Sequence, residues 1–280
     1  MLRARTRGPV RRGRALGRGF AVASLVALAT ACSVGDGRGF VRGTLSVPEC
    51  WDGAFDLSPD FFAALPFRNT LQIRMQNGGD FQTFSDGVVI LVNDLRGVRG
   101  DGELPGRLNQ DLSVDLPPEV TPPGVPIIAR PDPALVHLTV YLQRSCRTQN
   151  AALYAVSQVA LGPDGECSAG VFAGDDPRRC DLSASAPPAG DPANPGVPAP
   201  PATPSGPVGT STVRFESLFS GNTSASDAAE RRTKGSFRVF LADPRDVCPG
   251  GIGPLPRCRG ELTGEFDFFF QRGRPAQPFP

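Results

Sequence analysis

The chain holds one histidine among its 280 residues, and that scarcity removes most hydrolytic mechanisms at once. Any Ser-His-Asp or Cys-His arrangement must run through His137, because each needs an imidazole as the general base. His137 lies between Val136 and Leu138 in an alternating run, and reads as a strand histidine on a surface or partly buried face. Catalytic residues gather on loops and strand ends instead. No HExxH, GxSxG or phosphate-cradling glycine loop followed by Lys occurs. Lysine is equally rare, with Lys234 alone, and arginine carries nearly all the positive charge. No CxxC pair is present, which with a single remote histidine argues against structural zinc. Long apolar runs are missing too. The longest, Phe20 to Leu28, falls far short of the ~20 residues that a membrane-spanning helix needs.

That short run belongs to a patterned N-terminus. The first 31 residues carry seven arginines (positions 3, 5, 7, 11, 12, 14 and 18) and no acid. A basic stretch, an apolar stretch and then small residues describe a secretory signal peptide. Residues 1–31 are therefore read as a leader. Without its seven arginines, 22 cations face 28 acids, a net charge of about −6. A mildly acidic surface offers no electrostatic footprint for nucleic acid. No nucleic-acid partner is expected.

Leu28-Ala29-Thr30-Ala31-Cys32 resembles the lipobox of bacterial lipoproteins, in which small residues precede a cysteine that is acylated and becomes the new N-terminus. The family usually has Leu three residues before the cysteine; here Ala29 holds that place and Leu28 precedes it. The resemblance implies acyl chains such as palmitate on Cys32, a membrane partner reached through that lipid, and a place in the cell envelope. Several acyl chains anchor stably where one binds reversibly. Ser33, not Asp, follows the cysteine, which by the same resemblance favours the outer membrane. The leader, Cys32 and the run Gln271-Arg272-Gly273-Arg274-Pro275-Ala276-Gln277-Pro278-Phe279-Pro280 together are similar to uncharacterised envelope lipoproteins of myxobacteria. That likeness implies an address and confers no activity.

Six cysteines follow: Cys50, Cys146, Cys167, Cys180, Cys248 and Cys258. An even set in an exported chain reads as three disulfides, with 15 connectivities open. Loop composition favours Cys167–Cys180 and Cys248–Cys258, each closing a short segment of Gly, Pro and Asp. Cys50–Cys146 is then left by elimination.

Residues 32–38 form a polar tether and 39–272 a single domain. Strands are expected at Phe40–Val47, Leu71–Gln76, Val88–Val92, Ala134–Leu142, Leu153–Leu161, Thr212–Phe219, Ser236–Leu241 and Glu261–Gln271. The last alternates most clearly, with Leu262, Phe266, Phe268 and Phe270 against Glu261, Thr263, Glu265 and Asp267. Ser58-Pro59-Asp60 is a helix-start pattern, so one short helix is expected near 59–65. Little regular structure is expected between Arg96 and Pro133 beyond an extended piece near Leu112. The Pro-rich stretch 186–208 cannot bury enough apolar area to offset chain entropy and reads as a disordered surface loop. Gly221 to Gly235 reads as a polar hairpin tip, and 273–280 as an extended tail. Many short strands with Gly- and Pro-rich turns predict a mostly β chain, an antiparallel β-sandwich with long loops. The alternating first and last strands are suited to pair with each other.

The functional expectation is a non-enzymatic structural or protein-interaction role. The alternative is a glycan-binding module, with or without calcium, using Trp51, Tyr141, Phe240 and Phe269; an envelope hydrolase with two facing carboxylates comes third. Asp101-Gly102-Glu103, Asp175-Asp176 and Asp243-Pro244-Arg245-Asp246 are candidate calcium ligands, but Asp beside Gly or Pro is also ordinary turn chemistry. No catalytic residue, metal site or cofactor is assigned.

Overall fold

The computed structural model describes residues 37–47, 50–77, 85–103, 105–117, 134–146, 151–162, 164–167, 207–246 and 255–271. All of them belong to the compact unit Val34–Pro280. The leader, Cys32, Cys180, Cys248, Asp175-Asp176, the tail 273–280 and all of the Pro-rich stretch except its last two residues lie outside the described residues.

The described chain is mostly β. Its strands are β1 (Gly37–Val47), β2 (Trp51–Leu57), β3 (Phe61–Phe67), β4 (Thr70–Gln76), β5 (Asp86–Val92), β6 (Asp111–Ser113), β7 (Val136–Leu142), β8 (Ala152–Ala155), β9 (Gln158–Ala160), β10 (Val208–Thr210), β11 (Thr212–Ser217), β12 (Arg232–Ala242) and β13 (Gly260–Phe269). Two short helices, α1 (Leu95–Arg99) and α2 (Ala228–Arg231), interrupt them. Eleven strands share one sheet in the order β2-β1-β13-β12-β8-β7-β5-β4-β3, with β11 on β12 and β6 on β11; β9 and β10 form a separate pair.

The long β12 turns this sheet into two layers. Lys234–Arg238 pair with β11, while Leu241 and Ala242 pair with β8. One layer is therefore β2-β1-β13-β12-β11-β6 and the other is β8-β7-β5-β4-β3. Their inner faces meet in a common core: Phe62 of β3 stacks on Phe268 of β13 with ring centroids 5.5 Å apart, and Leu71, Ile73, Ile90, Leu138 and Leu142 are fully buried with Leu262 and Phe266. The expected antiparallel sandwich is present, and β1 pairs with β13 as the sequence suggested, Val41 lying opposite Gly264.

Glycine and phenylalanine interlock inside the first layer. Gly235 stands opposite Phe266, and Phe237 opposite Gly264. A Cβ on Gly235 would lie 2.8 Å from the Phe266 ring, so the ring takes the space the glycine leaves. Such cross-strand pairs are how a sheet recovers the packing that a glycine forfeits.

The helix expected near 59–65 is a strand. A capping Ser and a Pro at the first position favour a helix by about 1 kcal/mol. Burying Phe61 and Phe62 is worth about 1.5–3 kcal/mol each, and one turn of surface helix cannot bury two adjacent rings. As a strand, β3 places them on opposite faces, both buried. Pro66, expected to end the helix, lies opposite Leu71 one step from the β3–β4 turn. The closing pair Phe67–Thr70 makes that a non-hydrogen-bonded position, where a missing N–H costs nothing.

Other boundaries also moved. Gly37 and Arg38, assigned to the tether, already pair with Phe268 and Asp267. β2 was not anticipated. The Leu153–Leu161 segment is two strands, β8 and β9, and Val208 of the Pro-rich stretch opens β10. The expected hairpin tip is instead α2 followed by the first third of β12. Helix α1 occupies the start of the segment expected to be irregular, capped by Asp94, whose carboxylate accepts from Gly97 N at 2.9 Å.

Candidate functional site

Among the described residues two disulfides are in place. Cys50 joins Cys146 with Cα atoms 5.4 Å apart, and Cys167 joins Cys258 at 5.2 Å. The first agrees with the expectation from elimination. The second overturns both short-loop pairings, Cys167–Cys180 and Cys248–Cys258, because it takes a cysteine from each. Tertiary contacts override sequence proximity here: Ala160 N donates to Pro256 O at 3.1 Å and Ala160 bridges Arg257, which carries the 162–167 turn against the approach to β13. Cys50 follows β1 in one layer and Cys146 follows β7 in the other, so this bridge staples the layers. The Asp86 carboxylate holds the Cys146 turn, accepting from Arg144 N at 2.9 Å and Ser145 N at 3.1 Å.

His137 is buried and fully engaged. Nδ1 lies 2.6 Å from the Asp115 carbonyl and Nε2 lies 2.6 Å from Asn93 Nδ2. A carbonyl can only accept, so Nδ1 carries the proton and Nε2 accepts from the amide. Asn93 also donates to Ala134 O at 3.1 Å. The imidazole thus ties three segments together, a structural role.

Of the described candidate calcium carboxylates, Asp101 serves a turn and Asp246 an ion pair. Asp101 accepts from Glu103 N, and Asp246 pairs with Arg259 at 2.7 Å. Among the described residues no group of three or more His, Cys, Asp or Glu side chains converges as a metal site. Nor do the candidate aromatics form a strip. Phe240 is buried in a second cluster with Val156, Val159 and Cys258, its ring lying 2.9 Å from where a Cβ on Gly209 would stand. Trp51 and Tyr141 are half-buried, and only Phe269 is exposed.

The densest chemistry lies where sequence reading missed it, on the outer face of the second layer. Arg74 on β4, Val89 on β5, Thr139 on β7 and Tyr154 on β8 form one row across the sheet; Gln76, Gly87 and Tyr141 form the next. Arg74 is only 2% exposed, and burial pulls its guanidinium down to about 10. Its Nη2 donates to Gln76 Oε1 at 3.3 Å. Tyr141 is pushed above the usual phenol range, first by burial and then by Tyr154, against the opposing hydrogen bond to Thr139 and the charge of Arg74. Arg74, Gln76, Tyr141 and Tyr154 have further interactions besides these. The sequence did carry a signal for this row: polar residues at every second position of two strands whose neighbour, Val88 to Val92, is apolar on both faces.

No family model, curated protein or solved structure matches the chain. Among the described residues no helix is long and apolar enough to cross a membrane.

Proposed function

We propose that the chain is a bacterial envelope lipoprotein, anchored by lipid on Cys32 at the outer membrane, whose β-sandwich works by contact with another envelope component and not by catalysis. The distribution of cysteines supports this reading. Six follow Cys32, four of them are paired within the sandwich, and Cys32 itself stands directly after the leader. Disulfides persist outside the reducing cytosol, so a domain stapled in this way suits an exported chain. The lipobox-like residues before Cys32 then supply its attachment. A glycan-binding module, the alternative, would draw on Phe269 with Arg232 beside it; the other three aromatics it would use are covered or half-covered.

Intact-mass analysis of protein purified from the envelope tests the anchor. The expected N-terminal residue is Cys32 carrying acyl chains; a retained leader or an unmodified Cys32 would overturn the reading. Partner capture from detergent-solubilised envelope, with the native chain and with Cys32→Ser, tests the role. The same partners on both forms are expected, because recognition then belongs to the sandwich, and partners on neither would remove the interaction role.

A further inference from the structure

The two exposed aromatic rings lie at one end of the sandwich, the end where Gly37 opens β1; exposed Val208 lies at the other, beside Gly209 on the Phe240 ring. Among the described residues three large apolar side chains are exposed: Phe67 at 68%, Phe269 at 39% and Val208 at 36%. Phe269 ends β13, one position beyond Phe268, the partner of Gly37. Phe67 ends β3, and β3 lies across the same end. Its Phe62 ring borders Gly37 and Gly39, while Pro66 borders Gly221. The Gly221 loop is in turn fixed to the start of β12, with Ser220 N donating to Glu230 O and Phe219 N to Thr233 Oγ1.

Every residue of β3 is apolar, and among the described residues it is the last strand of its layer. An uncharged edge strand invites pairing unless something occupies its surroundings. Each exposed ring also has a guanidinium over it: Arg68 stands 5.2 Å from the Phe67 centroid and Arg232 5.9 Å from that of Phe269. Aromatic bodies with cationic neighbours suit the headgroup zone of a bilayer. Gly37 is five chain steps from Cys32, a reach of at most about 18 Å. If Cys32 is acylated, Gly37 stays within about 18 Å of the lipid surface.

Resting on that anchored reading, we infer that the β3 end is a membrane-contact face. Phe67 and Phe269 enter the headgroup region of the bilayer, and the Cys50–Cys146 staple points away from the membrane. Insertion is shallow, because an open strand edge must stay hydrated. Nearby charges largely cancel, Asp267 pairing with Arg38 and Arg232, and Glu230 with Arg99, so the contact is apolar in origin and indifferent to salt.

The chain supplies its own control. Trp51, the one tryptophan, pairs with Val47 at the opposite end of β1, about 33 Å from Gly37 at strand spacing. Mature protein, with Phe67→Trp or Phe269→Trp, is reconstituted in phosphatidylethanolamine–phosphatidylglycerol vesicles whose acyl chains carry bromine. Bromine should quench most of the emission added by each substitution, at low and high salt alike, and leave wild-type Trp51 emission unchanged. No quenching of either added indole, or equal quenching of Trp51, would overturn the face. The mass of Cys32 in the same samples separates the two ideas. Acylated Cys32 with unquenched indoles sinks the face and spares the anchor. Unmodified Cys32 sinks the anchor, and quenching on vesicles added to the unanchored chain then upholds or overturns the face alone.

Discussion

The two layers share a core but treat their outer faces in opposite ways. Outside the first layer, charges pair across strands: Arg42 with Asp56, Arg214 with Asp111 and Arg38 with Asp267 directly opposite, and Arg232 with Asp267 and Arg238 with Glu261 diagonally. Most of these side chains are wet. Outside the second layer, Arg74, Gln76, His137 and Thr139 are buried. A charge in water is cheap to keep and worth little when paired; a charge out of water must have its hydrogen bonds met. The same residue type therefore carries very different weight on the two faces.

The largest break in this comparison is to uncouple the layers. Replacing Cys50 and Cys146 together by Ser releases a loop of 96 residues and should cost about 4–5 kcal/mol by loop-closure entropy, read as a lower denaturant midpoint. Non-reducing peptide mapping of the native protein should return Cys50–Cys146 and Cys167–Cys258. Cys180 and Cys248 are then the thiols left for the third bridge that six cysteines imply.

Gly264→Val attacks the interlock within the first layer. The added methyls meet the Phe237 ring and the Phe40 carbonyl, whose oxygen would lie 2.8 Å from the new Cβ. The expected loss is about 1–3 kcal/mol, checked by thermal unfolding. Arg74→Met and Arg238→Met then set the two outer faces against each other directly. The first strips a buried partner from Gln76 and should cost about 1–3 kcal/mol. The second removes one exposed cation and should stay within about 1 kcal/mol. Equal effects would erase the distinction between the faces.

The smallest effect expected is a pH dependence on the wet face. Hydrogen bonds from Arg232 at 2.9 Å, aided by the charges of Arg232 and Arg38, hold the Asp267 carboxyl below the usual carboxylate range. A lowered acid stabilises the fold above its unfolded value, 3.8, and loses that contribution as pH falls through the folded one. Asp267→Asn should lower the melting temperature slightly at neutral pH and leave it unchanged in acid.

How far these features were legible depends on water. β13 could be read residue by residue because one face is wet and the other dry. β5 was legible as a covered strand from its unbroken run. β3 was misread, because Phe61 and Phe62 point to opposite faces and local capping chemistry was the only other signal. The start of β12 was missed since its inward residues, Thr233 and Gly235, are small; the volume they lack comes from Phe266 and Phe268 of another strand. Of the polar row around Arg74, only the strands were visible, since no strand states which neighbour will lie beside it.

The sequence by itself determined the leader-like N-terminus, the even set of six cysteines, the mostly β character and the strands with one wet face. These are local patterns, set by side-chain period and composition. The tertiary structure decided the pairing of Cys167 with Cys258, the folding-over of the sheet at β12, the burial of Arg74 and the gathering of Phe67 and Phe269 at the tether's end. Each of those depends on residues distant in sequence competing for the same space, and no local pattern records the outcome of that competition.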